Sequence, residues 1–454
     1  MRDMTNPTSA ERFPVSYAQQ MLCVFDAGEE DSGPFGPRHN ITWSWRIRGS
    51  VDSATLADAL LDVVTRHEAL RTKIVREGDE LYQSVAPPSP ARVSEVDLSD
   101  TAPGDRDRRA ERLVIELEGG RFGMEPLPLI RAVLGRFDDE DSVVVLIMHH
   151  AAIDGWSAQV IARDLAEAYA RRRGHDIPER PEAVQYREFA VWQRESPEEV
   201  VPEKSVAFWR EKLDGARMAT VTMDFPRSAD LPKNTAVLRY AVDDELAAGV
   251  RAVGKSCRST PFIVLLAAYY VLLARRTGAT DITVPTIGAH RKQARFQDTV
   301  GNLTNFLPLR TDLAGAETFA DVVARARATF LEAYSREIPF LEVIGAAPTL
   351  MAGAVEDDQA LVAFQVLQLP FTMDGEVVGD LELRTVPRRM SQERATEIPD
   401  GALWQLDITP SGQIHAYLGY NTHKFTEATM QALADEFAQV LKETVLDPQA
   451  PLRF

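Results

Sequence analysis

His149 and His150 stand side by side, and an Asp-Gly pair follows at fixed spacing in the run His149-His150-Ala151-Ala152-Ile153-Asp154-Gly155-Trp156-Ser157. Imidazole is the side chain best suited to move a proton near neutral pH. A histidine acting as general base on a bound amine or hydroxyl lets that group attack an activated acyl carbon directly, with no covalent enzyme intermediate. Such a base contributes ~10²–10⁴-fold. Holding two acyl-transfer partners together contributes more, on the order of 7–11 kcal/mol in good geometry. A protein working this way is mostly a two-sided positioning device. Adjacent side chains of an extended segment point in opposite directions, so one imidazole can be structural while the other faces a cavity.

Asp154, four residues after His150, admits two readings. It orients an imidazole as in a triad, or it pairs with an arginine and holds the loop. The second is favoured, and Arg291, in Ala289-His290-Arg291, is the candidate partner. Breaking such a pair, if buried, costs roughly 3–5 kcal/mol. Gly155 allows close backbone approach, with N–H groups at the start of the following helix available to a developing oxyanion.

The elements that must position these groups are legible around them. Val143 to Met148 is a continuous apolar run that predicts a strand covered on both faces. The segment after the histidines predicts a helix with Val160, Ile161, Leu165 and Ala168 on one face, closed by Arg171 to Arg173 and Gly174. Upstream, Ser16 to Phe25 reads as a short helix. Trp43, Trp45 and Ile47 alternate with polar residues as a half-buried strand, and Asp52 or Ser53 caps a helix carrying Leu56, Leu60, Val63 and Val64. Residues 86–108 read as a surface connection before a helix at Arg108 to Leu117. Downstream, helices are expected at Asp244 to Thr277, at Thr318 to Ser335 and from Thr426, and strands at Asp281 to Thr286 and Leu361 to Phe371. A hairpin is expected around Pro410-Ser411-Gly412.

Composition sets the outer limits. At 454 residues the chain exceeds one ordinary core, so two lobes are expected, 1–178 and 179–454, divided in the Gly- and Pro-containing stretch near Gly174 to Pro181. A net charge of −18 argues against nucleic acid and against anionic membranes as partners. Two cysteines, Cys23 and Cys257, provide no disulfide framework and no Cys-rich metal site, consistent with a reducing, cytoplasmic setting. The polar N-terminus, Met1 to Ser9, lacks a signal-peptide core, and Pro261 to Ala274 is shorter than a membrane span requires. Asn40-Ile41-Thr42 and Asn302-Leu303-Thr304 match the glycosylation sequon, to which no meaning attaches without a secretion signal. Phosphate-binding glycine loops, dinucleotide fingerprints, C-x-x-C, H-E-x-x-H and G-x-S-x-G are all absent from the sequence. No metal and no bound cofactor is implied.

The histidine run resembles the H-H-x-x-x-D-G signature of nonribosomal peptide synthetase condensation domains, in its fuller form ending in Trp-Ser. Other blocks agree in order: Ser16-Tyr17-Ala18-Gln19-Gln20, Arg66-His67-Glu68-Ala69-Leu70-Arg71-Thr72, Tyr186 to Gln193, which in that family opens the second lobe, and Val300 to Arg310. The likeness runs from about Phe13 to Val445. It implies an α/β (α+β) fold of two chloramphenicol-acetyltransferase-like lobes in a V, with a tunnel between them and the histidines at its floor. It further implies donor and acceptor entering from opposite faces, the donor as a thioester on the phosphopantetheine of an acyl or peptidyl carrier protein. By the same resemblance His150 is the active histidine and His149 the structural one. Asp154 pairs with Arg291, Gly155 approaches the reacting carbonyl, and Trp156, Ser157 and Asn305 are candidate substrate-binding residues.

Three departures stand out: Met21 where the first motif usually continues with Arg, Phe306 where a small residue usually follows Asn305, and Ser335 to Phe340 only loosely echoing a later Arg-x-x-Ser-x-x-Pro block. With no adenylation or carrier signature between Met1 and Phe454, the chain reads as a free-standing condensation enzyme forming an amide or ester with a small acceptor, amine or alcohol. In this it resembles the ester-forming condensation enzymes of enediyne antibiotic pathways. The alternatives are an acyl-CoA-dependent acyltransferase of the same superfamily and a non-catalytic recruitment module.

Overall fold

The computed structural model describes residues 11–26, 28–368 and 373–454. Met1 to Ser9 and the end of the expected strand at Leu361 to Phe371 therefore lie outside the described residues, wholly or in part. Contacts divide the chain into two compact units, one of Met1–Pro197, His290–Leu303 and Phe371–Pro387, the other of Glu198–Ala289, Thr304–Pro370 and Arg388–Phe454. The division expected between 178 and 179 thus falls after 197, and two later segments return to the first unit. The reason is local. The helix Tyr186–Glu195, expected to open the second lobe, is tied to the start of the chain instead: Tyr186 hydroxyl to Ser16 Oγ at 2.7 Å, and Tyr17 N–H to Gln193 Oε1 at 3.1 Å.

The first unit is built on a six-stranded sheet in the order Val377–Val378, Leu381–Thr385, Asn40–Arg48, Asp141–His149, Ile130–Asp138, Val93–Asp97. Asp141–His149 is central and buried at every residue. Its alternation feeds two cores. Val144, Leu146 and Met148 pack with Leu60, Val64, Val160 and Ile161 of the helices Ser53–Arg66 and Gly155–Arg172. Val143, Val145 and Ile147 pack with Ala110, Leu113 and Val114 of the helix Arg106–Glu118. An unbroken apolar run follows from having helices on both faces, although both neighbours of this strand are antiparallel. The same second layer makes Asn40–Arg48 more buried than its alternation suggests; Ser44 is inside as well as Trp45 and Ile47. Within 86–108, read as a connection only, Val93–Asp97 forms the edge strand, parallel to Ile130–Asp138. On the other side Leu381–Thr385 lies antiparallel to Asn40–Arg48, and the short Val377–Val378 forms that edge.

The second unit has a five-stranded sheet, Thr220–Thr222, Gln359–Leu367, Ala402–Ile408, Ile414–Asn421, Thr235–Ala241, with the expected hairpin at its centre and Gly412 turning it at φ +84. The apolar stretch expected as one helix from Asp244 to Thr277 is two, Asp244–Ser256 and Pro261–Thr277, bent by 107°. Thr260 caps the second through its side chain and Pro261 occupies its first turn, the combination that starts a helix rather than continues one. No single helix among the described residues is long and apolar enough to cross a membrane. The long hairpin Asp281–Ala289 with Thr304–Asp312 also belongs here. Its connecting loop, 290–303, belongs to the first unit and reaches the histidines.

Candidate active site

The strand Asp141–His149 ends against Asn40, its register partner at His149. One residue further the ladder continues, with the His150 N–H donating to the His39 carbonyl at 2.8 Å. The chain then turns, and the helix Gly155–Arg172 begins with Asp154 as its cap, Oδ1 accepting from the Ser157 N–H at 2.7 Å. Strand, turn and capped helix start place both imidazoles and the carboxylate within six residues.

The two histidines have opposite surroundings. His149 is fully buried; its Nε2–H donates to the Gly36 carbonyl at 3.1 Å and its Nδ1 accepts from the Ala151 N–H at 3.2 Å. Both nitrogens are thereby committed in the neutral form. Burial lowers this imidazole to about 4, against the opposing pull of the Gly36 hydrogen bond. His150 is half-buried and holds one side-chain hydrogen bond, from Nδ1 to the Ile153 carbonyl at 2.8 Å. A carbonyl only accepts, so Nδ1 carries the proton and the lone pair of the neutral ring sits on Nε2. A base of this kind needs that tautomer.

Asp154 does not orient either ring. Arg291 Nη2 lies 3.0 and 3.1 Å from its two oxygens, Oδ2 also accepts the Leu303 N–H at 3.0 Å, and both side chains are 2% exposed. Arg291 further donates through Nη1 to the Phe296 and Thr299 carbonyls at 2.8 and 2.6 Å. Around this pair the returning loop is fastened at many points. Asn302 Nδ2 donates to the His150 carbonyl at 3.2 Å, Trp156 Nε1 donates to the Gln297 carbonyl at 2.9 Å, and Arg163 reaches Asp298 at 2.9 Å. Gly301 is required where it stands, because a Cβ there would meet the Tyr186 ring at 2.2 Å.

Two of the candidate substrate-binding residues need correction. Ser157 is fully buried, donates to the Gly301 carbonyl at 2.7 Å, and accepts from Gly301 N–H at 3.1 Å and Arg291 Nη2 at 2.9 Å. One donor and two lone pairs are all in use, which leaves nothing for a substrate. Asn305 lies in the second unit, 7% exposed, its amide donating to Glu337 Oε1 at 3.0 Å and the Ile338 carbonyl at 2.9 Å and accepting from the Phe340 N–H at 3.0 Å. It fixes the turn ahead of the helix Phe340–Ala346. Trp156 is half-buried, its ring 5.7 Å from the Arg291 guanidinium. Gly155 has open space on its Cα, with no atom within 4 Å of where a Cβ would be. Among the described residues no group of His, Cys, Asp and Glu converges as a metal site would.

The profile of the condensation-domain family matches residues 10–453. The chain belongs to the condensation-domain family. It is 30% identical over 445 residues to a linear gramicidin synthase of Brevibacillus parabrevis and 31% identical over 442 residues to phosphinothricin tripeptide synthetase PhsC of Streptomyces viridochromogenes. Those matches take in 97% and 96% of this chain but only 8% and 39% of the relatives. The SgcC5 protein of Streptomyces globisporus, solved with (R)-(-)-1-(2-naphthyl)-1,2-ethanediol and sucrose, superposes with a TM-score of 0.93 at 46% identity, covering 97% of this chain and 100% of that one. The X-domain from teicoplanin biosynthesis, at 24% identity and TM-score 0.78 over 99% and 98% of the two chains, shares the fold.

The other condensation-domain motifs serve the same frame. Ser16 caps the helix Tyr17–Phe25 in a reciprocal pair with Gln19, and Tyr186, held by Ser16, donates in turn to the Asn302 carbonyl at 2.5 Å. Met21, the departure in the first motif, is buried; Gln20 accepts from Arg194 at 2.8 Å and Gln19 donates to Gln83 Oε1 at 3.1 Å. Arg66 and His67 both donate to Asp164, at 3.0 and 2.8 Å, and Arg163 grips its other oxygen at 2.8 Å. Burial pushes the Asp164 carboxyl up, but His67 and Arg163 outweigh it and hold it at about 2. His39, whose ring stacks on that of His150, and Asn302 were not singled out for the site by sequence reasoning, although Asn302 stood in view within a sequon.

Removing one partner of the Asp154–Arg291 pair strands the other charge inside, so Arg291→Ala and Asp154→Ala are each expected to lower unfolding stability by roughly 3–5 kcal/mol, with the double variant losing less than the sum. Denaturant midpoints of the three proteins check this, and unchanged single-variant midpoints would remove the pair from the frame. His149, lowered from 6.5 to about 4, is joined by His67, His415 and His423, all lowered by burial. Below 6.5 the unfolded chain takes up protons that the folded chain refuses, so stability is fully present above 6.5 and is lost as pH falls toward 4. His149 alone accounts for ~3 kcal/mol at the limit. Melting temperature should fall between pH ~7.5 and ~5 and fall less in His149→Gln; an equal pH slope in both proteins would contradict the assignment.

Proposed function

We propose that this chain is an ester-forming condensation enzyme, joining an acyl group carried as a phosphopantetheinyl thioester on a carrier protein to a hydroxyl of a small acceptor. The observation that carries the reading is the His150 tautomer: with Nδ1–H given to the Ile153 carbonyl, Nε2 is the atom left to take a proton. The acceptor hydroxyl gives its proton to Nε2 as its oxygen bonds to the thioester carbonyl carbon. The tetrahedral intermediate collapses with loss of the C–S bond, and the imidazolium returns the proton to the departing thiolate. His149, neutral and committed on both nitrogens, holds the turn. Gly155, with open space beside its Cα, lets the reacting carbonyl approach the start of the helix, where backbone N–H groups favour the developing oxyanion.

An alcohol acceptor is preferred over an amine because the similar SgcC5 protein was solved with an aryl vicinal diol. The carrier-bound donor is supported by the family and by the synthetases among its relatives.

The test is mass spectrometry of products formed from aminoacyl-carrier thioesters and a panel of aryl diols and matched amines. Product is expected as an ester, dependent on carrier loading, and reduced on the order of 10²–10⁴-fold in His150→Ala of unchanged melting temperature. Amide products would overturn the acceptor assignment, transfer from acyl-CoA in preference to carrier would overturn the donor assignment, and full activity of His150→Ala would overturn the base.

A further inference from the structure

We propose that His39 is a positioning residue for the acyl transfer assigned above to His150: its imidazole lies face to face on the His150 ring and clamps that ring in place while the proton is held. The proposal rests on the reading of His150 as the base. The two ring centroids are 4.7 Å apart with planes 9° from parallel. His39 is also edge-on to His149, at 6.2 Å and 65°, so three imidazoles meet at the end of the central strand.

The stack follows from the backbone. His39 precedes Asn40, the register partner of His149, and its carbonyl takes the His150 N–H. Its own N–H donates at 3.2 Å to the Gly36 carbonyl, which also accepts His149 Nε2, and Asn40 Nδ2 closes the same turn on the Pro37 carbonyl at 2.9 Å. The turn that fixes the structural histidine therefore also places the His39 backbone beside His150.

A purely structural stack would be expected in the core, where apolar area is taken out of water. Both of these rings are half-buried. His150 is held at one edge by the Ile153 carbonyl, and a single edge contact leaves the ring free to rock about that bond. A second ring on its face removes this freedom. When His150 accepts the acceptor's proton, positive charge spreads over its ring, and the π face of a stacked aromatic ring alongside favours that charge. An aliphatic side chain of similar size fills the space without providing such a face.

The experiment compares His39→Phe, His39→Leu and His39→Ala with the parent protein, measuring kcat, both KM values, melting temperature and the ring proton shifts of His150 among the 8 histidines. His39→Ala and His39→Leu are expected to lose ~10-fold in kcat with both KM values unchanged, and His39→Phe to stay within ~3-fold of the parent. Unchanged kcat in His39→Ala overturns the proposal, as does a His39→Phe protein no better than His39→Leu at equal melting temperature. The shifts test the stack apart from turnover: the His150 ring protons move in His39→Ala and His39→Leu and return toward the parent positions in His39→Phe. Absence of that pattern refutes the stack, whereas its presence in a protein whose turnover does not depend on His150 refutes the base and leaves the stack standing.

Discussion

A carboxylate placed inside a protein must be compensated where it stands, and Asp154 is compensated from two directions. The guanidinium of Arg291 answers its charge, while the N–H groups of Ser157 and Leu303 take up its remaining lone pairs. The partners come from two pieces of chain, Ser157 from the motif helix and Arg291 and Leu303 from the 290–303 loop. The loop is held in the first unit because leaving it would strand a buried charge. Once seated, it brings Asn302 to the His150 carbonyl and Gly301 to the Ser157 hydroxyl. The geometry of the histidine turn is thus an indirect product of one ion pair.

That use of Asp154 has a chemical corollary. Its oxygens are occupied, so the His150 imidazole has no Asp154 carboxylate at its back. A backbone carbonyl holds the Nδ1 proton instead, which fixes the tautomer without adding a full negative charge next to the ring. Under the proposed function, such a base borrows the proton from the nucleophile and returns it to the leaving thiol. His149 complements this arrangement by remaining neutral, since a second charge beside His150 would oppose protonation of the first.

Much of this was legible in the residues. The apolar run into His149, the strand ahead of it and the helix after it follow from periodicity and end signals, and of the two readings of Asp154 the favoured pairing with Arg291 is the one the contacts display. What was not legible depends on distant chain. Ser157 and Asn305 look like site residues in a motif, yet both are engaged by distant segments whose approach no local pattern reports. Val93–Asp97 hid in a Pro- and Ser-rich stretch because an edge strand buries little and needs no apolar alternation. The returning strand Leu381–Thr385 and the stack of His39 on His150 are both matters of register between segments far apart in sequence. The break at Thr260-Pro261 was readable as a helix start, from the polar run Lys255 to Ser259 ahead of a capping Thr and a first-turn Pro.

The central claim is that the Ile153 carbonyl holds the His150 proton on Nδ1, which leaves Nε2 as the nitrogen that carries the lone pair. Two-bond ¹H–¹⁵N correlation spectra of histidine-labelled protein, assigned with His150→Ala, read the tautomer directly. The Nδ1–H pattern is expected for His150 in the parent protein at neutral pH. A Nε2–H pattern there would mean that the Ile153 carbonyl does not hold the ring, and the base assigned to this site would lose its lone pair.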